Sequence, residues 1–132
     1  IATVVDASTA QGTAITIVNT HLDEKSAERR SESLRQLLAW IADSLSSRPT
    51  ILLGDFNCVL GAEELTCLES AGLGAVLGRG HGPTTNGFGQ EIGRQIDHIF
   101  VSDHWEVGPA IVDRSAGLAS DHFPVVADLS LR

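Results

Sequence analysis

The sequence predicts an α/β (α+β) fold built on a mixed, mostly antiparallel sheet with helices on one face. Three observations carry that expectation. Apolar, β-branched runs alternate with one-sided helical patterns, reading as strands, helix, strand, helix and then three more strands. Thirteen glycines against four prolines supply many tight turns, which suits a strand-rich chain better than a helical bundle. With 132 residues, 42% of them hydrophobic and 20% charged, the chain is long and apolar enough to bury the core of one domain.

The elements follow in order. Ile1 to Asp6 reads as a strand, ASTAQGT as a turn and Ala14 to Thr20 as a second strand, the pair forming a hairpin. A helix is predicted from an N-cap at Ser26 to Leu45, because Leu34, Leu37, Leu38, Ile41 and Leu45 recur at three- and four-residue spacing. Arg29, Arg30, Glu32 and Arg35 make up its polar side, and Pro49 follows its end. Thr50 to Leu53 is a short apolar strand of the kind buried on both faces, closed by Gly54. Ala62 to Ala71 reads as a short helix ended by Gly72, and Gly72 to Gly93 as a long surface loop. Ile96 to Val101, Glu106 to Val112 and Val125 to Leu131 complete the set as strands.

Composition restricts the function. Seventeen acidic residues against nine basic ones give a net charge of −8, which disfavours a long polyanion and favours small phosphate esters or a metal ion. No apolar run is long enough to cross a bilayer as a helix. The opening IATVVD has neither a basic n-region nor an initiator Met and starts on a strand-like run, so we expect a piece of a longer protein. Cys58 and Cys67 read as small hydrophobes; they form no zinc site and leave the compartment open.

Four stretches place ionisable residues where apolar strands end, the rim at which sheets of this class put their chemistry. In IVNTHLD, His21 follows a strand, as a capping histidine would too. In ILLGDFN, an extended chain would present Asp55 and Asn57 on one side with Phe56 turned inward, although an Asx turn accounts for the same residues. In QIDHIFVS, Asp97 shares a strand face with Ile99 and Val101 and needs a hydrogen-bonding partner, while His98 faces the other way and reads as structural. In ASDHFPVVADL, Ser120, Asp121 and His122 cluster before Pro124, and Asp97 is the obvious partner for the His122 imidazole, fixing its tautomer and raising its pKa.

Taken in order, THLD, GDFN, IDHIFVS and SDHFPVV resemble the C-terminal motif series of the endonuclease/exonuclease/phosphatase (DNase I-like) superfamily, over nearly the whole chain from Val4 to Leu129. The resemblance implies the C-terminal half of a four-layer α/β/β/α sandwich and a divalent-metal-dependent phosphoesterase acting on phosphodiesters or phosphomonoesters. It implies His21 and Asn57 at the phosphate, and Asp55 orienting or deprotonating water or sharing a metal. Asp121 would ligate Mg²⁺ or Mn²⁺, and His122, oriented by Asp97, would act as acid/base or complete the phosphate pocket. Arg94 could meet a phosphate or be a solvated loop arginine, and HGPTTNG resembles the family's Pro-Thr segment, with His81 and Asn86 unassigned.

The family's first half contributes an early Asn and a metal-binding Glu that have no counterpart here, since Glu24, Glu28 and Glu32 lie in or near a polar helix face. The resemblance therefore implies a metal site completed by an N-terminal half or a second copy, and an apolar sheet face available to a partner. Two other readings compete. One is a non-catalytic truncated domain serving as an interaction module. The other is a zinc hydrolase on His21, His98 and His122, which lacks close histidine spacing.

Overall fold

The computed structural model describes residues 1–86, 93–115, 117 and 119–132. Its main sheet has five strands in the order β1-β2-β3-β5-β4: β1 (Ala2–Ser8), β2 (Ala14–His21), β3 (Thr50–Asp55), β4 (Leu73–Ala75) and β5 (Asp97–Ser102). β1 and β2 form the expected hairpin, β2 and β3 run parallel, and the remaining pairs are antiparallel. A separate two-stranded ribbon joins β6 (Trp105–Val112) to β7 (Val125–Leu131).

Helix α1 (Ala27–Trp40) starts where the sequence places it, the Ser26 side chain accepting a hydrogen bond from the Arg29 N–H. The helix is not continuous to Leu45. It opens at Ile41 (φ −98°, ψ 9°) and resumes as α2 (Ala42–Ser47), which buries nothing. Leu34, Leu37 and Ile41 are all buried, and beyond the break only the partly buried Leu45 of α2 still packs against the core. A 3-10 turn (Glu63–Leu65) and α3 (Thr66–Ser70) follow β3. α1, the 3-10 turn and α3 cover one face of the sheet, packing Leu34, Leu37, Leu65 and Leu68 into one core with Val18, Leu52, Phe100 and Phe56.

The other face carries the cross-strand rows Val5–Ile17–Ile51–Val101 and Thr3–Asn19–Leu53–Ile99. Val5 is exposed there, and Ile17, Ile51, Leu53 and Ile99 are half-buried.

Two expectations need correction. The glycine-rich stretch after Gly72 is not all loop: Leu73 is buried and β4 pairs with β5. The last two strands do not extend this sheet: β6 and β7 pair with each other as a separate ribbon. Their ladder slips between Val107 and Ala110, where Pro109 has no N–H to contribute. No helix among the described residues is long and apolar enough to cross a membrane.

Candidate active site

The register of the main sheet sets three polar residues side by side. His21 ends β2 opposite Asp55, which ends β3, and Asp55 is paired in turn with Asp97 at the start of β5. Cross-strand partners share a face, so these side chains form one row on the face away from the helices. The register depends on Gly54. Its φ of +135° belongs to glycine, and a Cβ there would sit 1.9 Å from the Thr20 carbonyl oxygen on the neighbouring strand.

His122 completes the group from the turn before β7. Its Nδ1–H donates to Asp97 Oδ2 at 2.8 Å, which is the pairing expected from the sequence. Its Nε2 lies 4.0 Å from Asp55 Oδ2, and His21 Nε2 lies 3.6 Å from the same oxygen. Asp55 therefore stands between two imidazoles, with its carboxylate largely buried while His21 is open to solvent. Partial burial pulls the His122 pKa down. The hydrogen bond to Asp97 and the charges of Asp97, Asp55 and Asp121 outweigh it and leave the pKa above the ordinary histidine value.

Asn57 departs from the expected alternation. It takes φ +53° and its N–H donates to Asp55 Oδ1 at 2.8 Å, closing an Asx turn, while Phe56 is fully buried. The Asn57 side chain donates one amide hydrogen to Leu22 O at 3.0 Å, tying the end of β3 to the segment that follows His21. The turn leaves Asp55 Oδ2 facing the histidines.

Asp121 is exposed beside His122 and its charge reaches that imidazole, but its carboxylate stands outside the tight cluster of Asp55, Asp97 and His122. Arg94 is exposed, and its guanidinium makes no hydrogen bond or ion pair among the described residues; its main chain bonds Thr84 and Thr85. His98 points to the helix side, buried between Phe56 and Phe100 with Nε2 2.9 Å from Cys58 O. Burial lowers its pKa against that hydrogen bond. Three imidazoles therefore do not converge, and the zinc reading fails on geometry. Glu24, Glu28 and Glu32 pair with Lys25, Ser26 and Arg35 at the surface. Burial pushes the Cys58 thiol up to about 11, so it is no nucleophile.

The donor set contains two carboxylates and one imidazole whose ligand atoms lie within 4.8 Å of one another. Oxygen-rich sites of this kind fit a hard divalent cation. Asp55 and Asp97 each have one oxygen held at 2.8 Å, by the Asn57 N–H and by His122 Nδ1, which leaves Asp55 Oδ2 and Asp97 Oδ1 for a cation, while Asp121 is exposed.

The sequence pattern of the Endonuclease/Exonuclease/phosphatase family matches residues 2–122. No curated protein matches the chain. Among solved structures, an endonuclease/exonuclease/phosphatase from Bacteroides vulgatus superposes with a TM-score of 0.86 at 26% identity, over 99% of this chain and 55% of its own. A functionally unknown conserved protein from Enterococcus faecalis V583 gives 0.82 at 27%, over 94% and 53%. A mannosyl-6-phosphatase of Bacteroides thetaiotaomicron VPI-5482 gives 0.68 at 26%, over 91% and 52%. The chain thus spans about half the length of these relatives. With the row of strand-end residues and a match across most of its length, this chain belongs to the endonuclease/exonuclease/phosphatase family.

Proposed function

We propose that this chain carries the catalytic half-site of a divalent-metal-dependent phosphoesterase that hydrolyses a phosphodiester or phosphomonoester. The observation behind the proposal is the His21–Asp55–Asp97 row joined to His122 by a 2.8 Å hydrogen bond. The mannosyl-6-phosphatase among the similar structures supports phosphate-ester chemistry.

In this reading Asp55 and Asp121 hold Mg²⁺ or Mn²⁺, which when bound supplies Lewis-acid polarisation of the phosphoryl group. Asp55 orients the attacking water and accepts its proton. His21 and His122 flank the phosphate where negative charge grows, and Asp97 keeps the Nδ1 proton of His122 in place so that Nε2 faces the substrate. Asn57 donates its second amide hydrogen to a phosphate oxygen, and Arg94 contacts a phosphate. The charge of −8 favours a small phosphate ester over a long nucleic acid. Residues from a preceding half or a second copy complete the metal site.

The test is Mg²⁺- or Mn²⁺-dependent release of nitrophenol from bis(4-nitrophenyl) phosphate, by this chain and by the chain supplied with a family N-terminal half. Turnover abolished by Asp55→Ala and by His122→Ala supports the reading. Turnover indifferent to both changes sinks it, and a folded assembly that never turns over leaves the interaction-module alternative standing.

A further inference from the structure

Asp97 and His122 come from segments distant in sequence, and their 2.8 Å bond requires something to hold those segments in register. Three residues lie between them. The side chain of Thr84 is fully buried, at 0% exposure. Its hydroxyl accepts the Ile96 N–H at 3.0 Å and the Asp97 N–H at 3.1 Å and donates to Arg94 O at 3.3 Å. The Thr84 main chain bonds both sides: its N–H donates to Arg94 O at 2.9 Å, and its carbonyl accepts the Phe123 N–H at 2.7 Å.

The next two residues extend the contact along the histidine side. Thr85 forms an antiparallel bridge with His122. The Asn86 N–H donates to Asp121 O at 3.0 Å, and its side-chain amide donates to Ser120 O at 2.7 Å. Residues 84–86 therefore act as a short strand wedged between the entry to β5 and the turn that carries Asp121 and His122.

We propose that Thr84 is a positioning residue for the Asp97–His122 pair, with Asn86 bracing the histidine side of the same contact. The Thr84 hydroxyl is the shared anchor. It accepts from the two N–H groups that fix the start of β5, one of them belonging to Asp97 itself. Without it those buried donors lose their partner and the carboxylate is free to shift away from His122. Thr84 touches neither substrate nor reacting atoms, and its effect passes through the pair. This inference rests on the reading of that pair as part of the active site, but its geometric content can be tested without turnover.

The experiment compares the wild type with Thr84→Ser and Thr84→Val at one pH and without metal. The readout is the low-field proton resonance of the His122 Nδ1–H, with the amide signals of Leu52, Phe56 and Phe100 reporting the fold. Thr84→Ser keeps the resonance. Thr84→Val keeps the core amides but loses the His122 proton to exchange with water; in a separate assay with Mg²⁺ and a family N-terminal half supplied, kcat on bis(4-nitrophenyl) phosphate falls by about tenfold with KM little changed, the equivalent of one net hydrogen bond. A Val variant with a resonance as sharp as the wild type overturns the proposal. So does a folded Ser variant that loses the resonance as completely as Val. Should Thr84→Val fail to fold, Asn86→Ala, which leaves the buried hydroxyl in place, must broaden the resonance, and a sharp signal there overturns the proposal. A wild type without any low-field resonance overturns it at its root. Absence of turnover by that Mg²⁺-supplied assembly, with the resonance pattern intact, counts against the hydrolase reading and leaves the brace standing.

Discussion

Asp55 and Asp97 are register partners across the antiparallel β3–β5 pair, so two carboxylates stand side by side on one face of the sheet. Like charges directly opposite destabilise a ladder. His122 offsets that repulsion, with Nδ1 2.8 Å from Asp97 and Nε2 4.0 Å from Asp55. When protonated it can serve both carboxylates at once, and this is why its pKa is raised despite partial burial.

Replacing Asp97 by Asn removes the charge and keeps the shape. The pKa of His122, followed by NMR titration, should fall below its wild-type value, because the charge that raises it is lost and an amide oxygen is a weaker acceptor for Nδ1–H. Turnover, where present, should drop by roughly 10²- to 10⁴-fold, the range for a general acid–base group that loses its orientation. An unchanged His122 pKa would refute the electrostatic account.

His122 and His98 should pull the pH dependence of stability in opposite directions. The folded pKa of His122 lies above the ordinary 6.5, so its stabilisation is fully present below that value and is lost as pH rises through the folded pKa. The folded pKa of His98 lies below 6.5, so stability falls as pH drops beneath 6.5 and the unfolded chain takes up a proton that the buried ring resists. Denaturant unfolding from about pH 5 to 8 should show His122→Asn losing most on the acid side, and His98→Gln losing least there.

Gly54→Ala should destabilise the protein by more than about 1 kcal/mol, since a residue forced to positive φ meets a backbone oxygen it cannot push aside. The clash is with Thr20 O, next to His21. Chemical shifts of the His21 and Asp55 amides should therefore move more than those of β6 and β7. A variant as stable as the wild type would contradict the close approach.

Arg30 and Glu64 form an ion pair with side chains only 11% and 9% exposed, the Arg30 Nε and Nη2 both donating to Glu64 Oε1. Arg30 also donates to Asp23 O at 3.0 Å, on the segment that follows His21. Arg30→Ala strands the carboxylate and should cost about 3–5 kcal/mol, whereas the double change Arg30→Met/Glu64→Leu should cost much less. Thermal unfolding of the single and double variants decides between these outcomes.

The strands with strong β-branched runs, the start of α1 and the identity of the polar strand ends were legible in the chain. Alternation and helical spacing report directly on which side chains can share a buried face. His21, Asp55, Asp97 and His122 were found because a carboxylate or imidazole at the end of an apolar strand stands out locally. β4 was not visible, because three residues among glycines hold too little pattern, and the pairing of β6 with β7 is a long-range choice that local alternation does not report. The opening at Ile41 was equally silent, since periodicity continues across it.

By itself the sequence determined the mixed α/β class, the helix cap at Ser26 and the residues that stand at the sheet rim, because these follow from local periodicity and from the backbone needs of single residues. The Asp97–His122 pairing was also expected, and the Asx turn at Asn57 was one of two readings. Only the tertiary structure decided between those two readings, put His21 beside Asp55 and left Asp121 outside the tight cluster. Strand register and hydrogen bonds between distant segments are long-range properties. They arise from how the whole chain packs, and no local window of residues contains them.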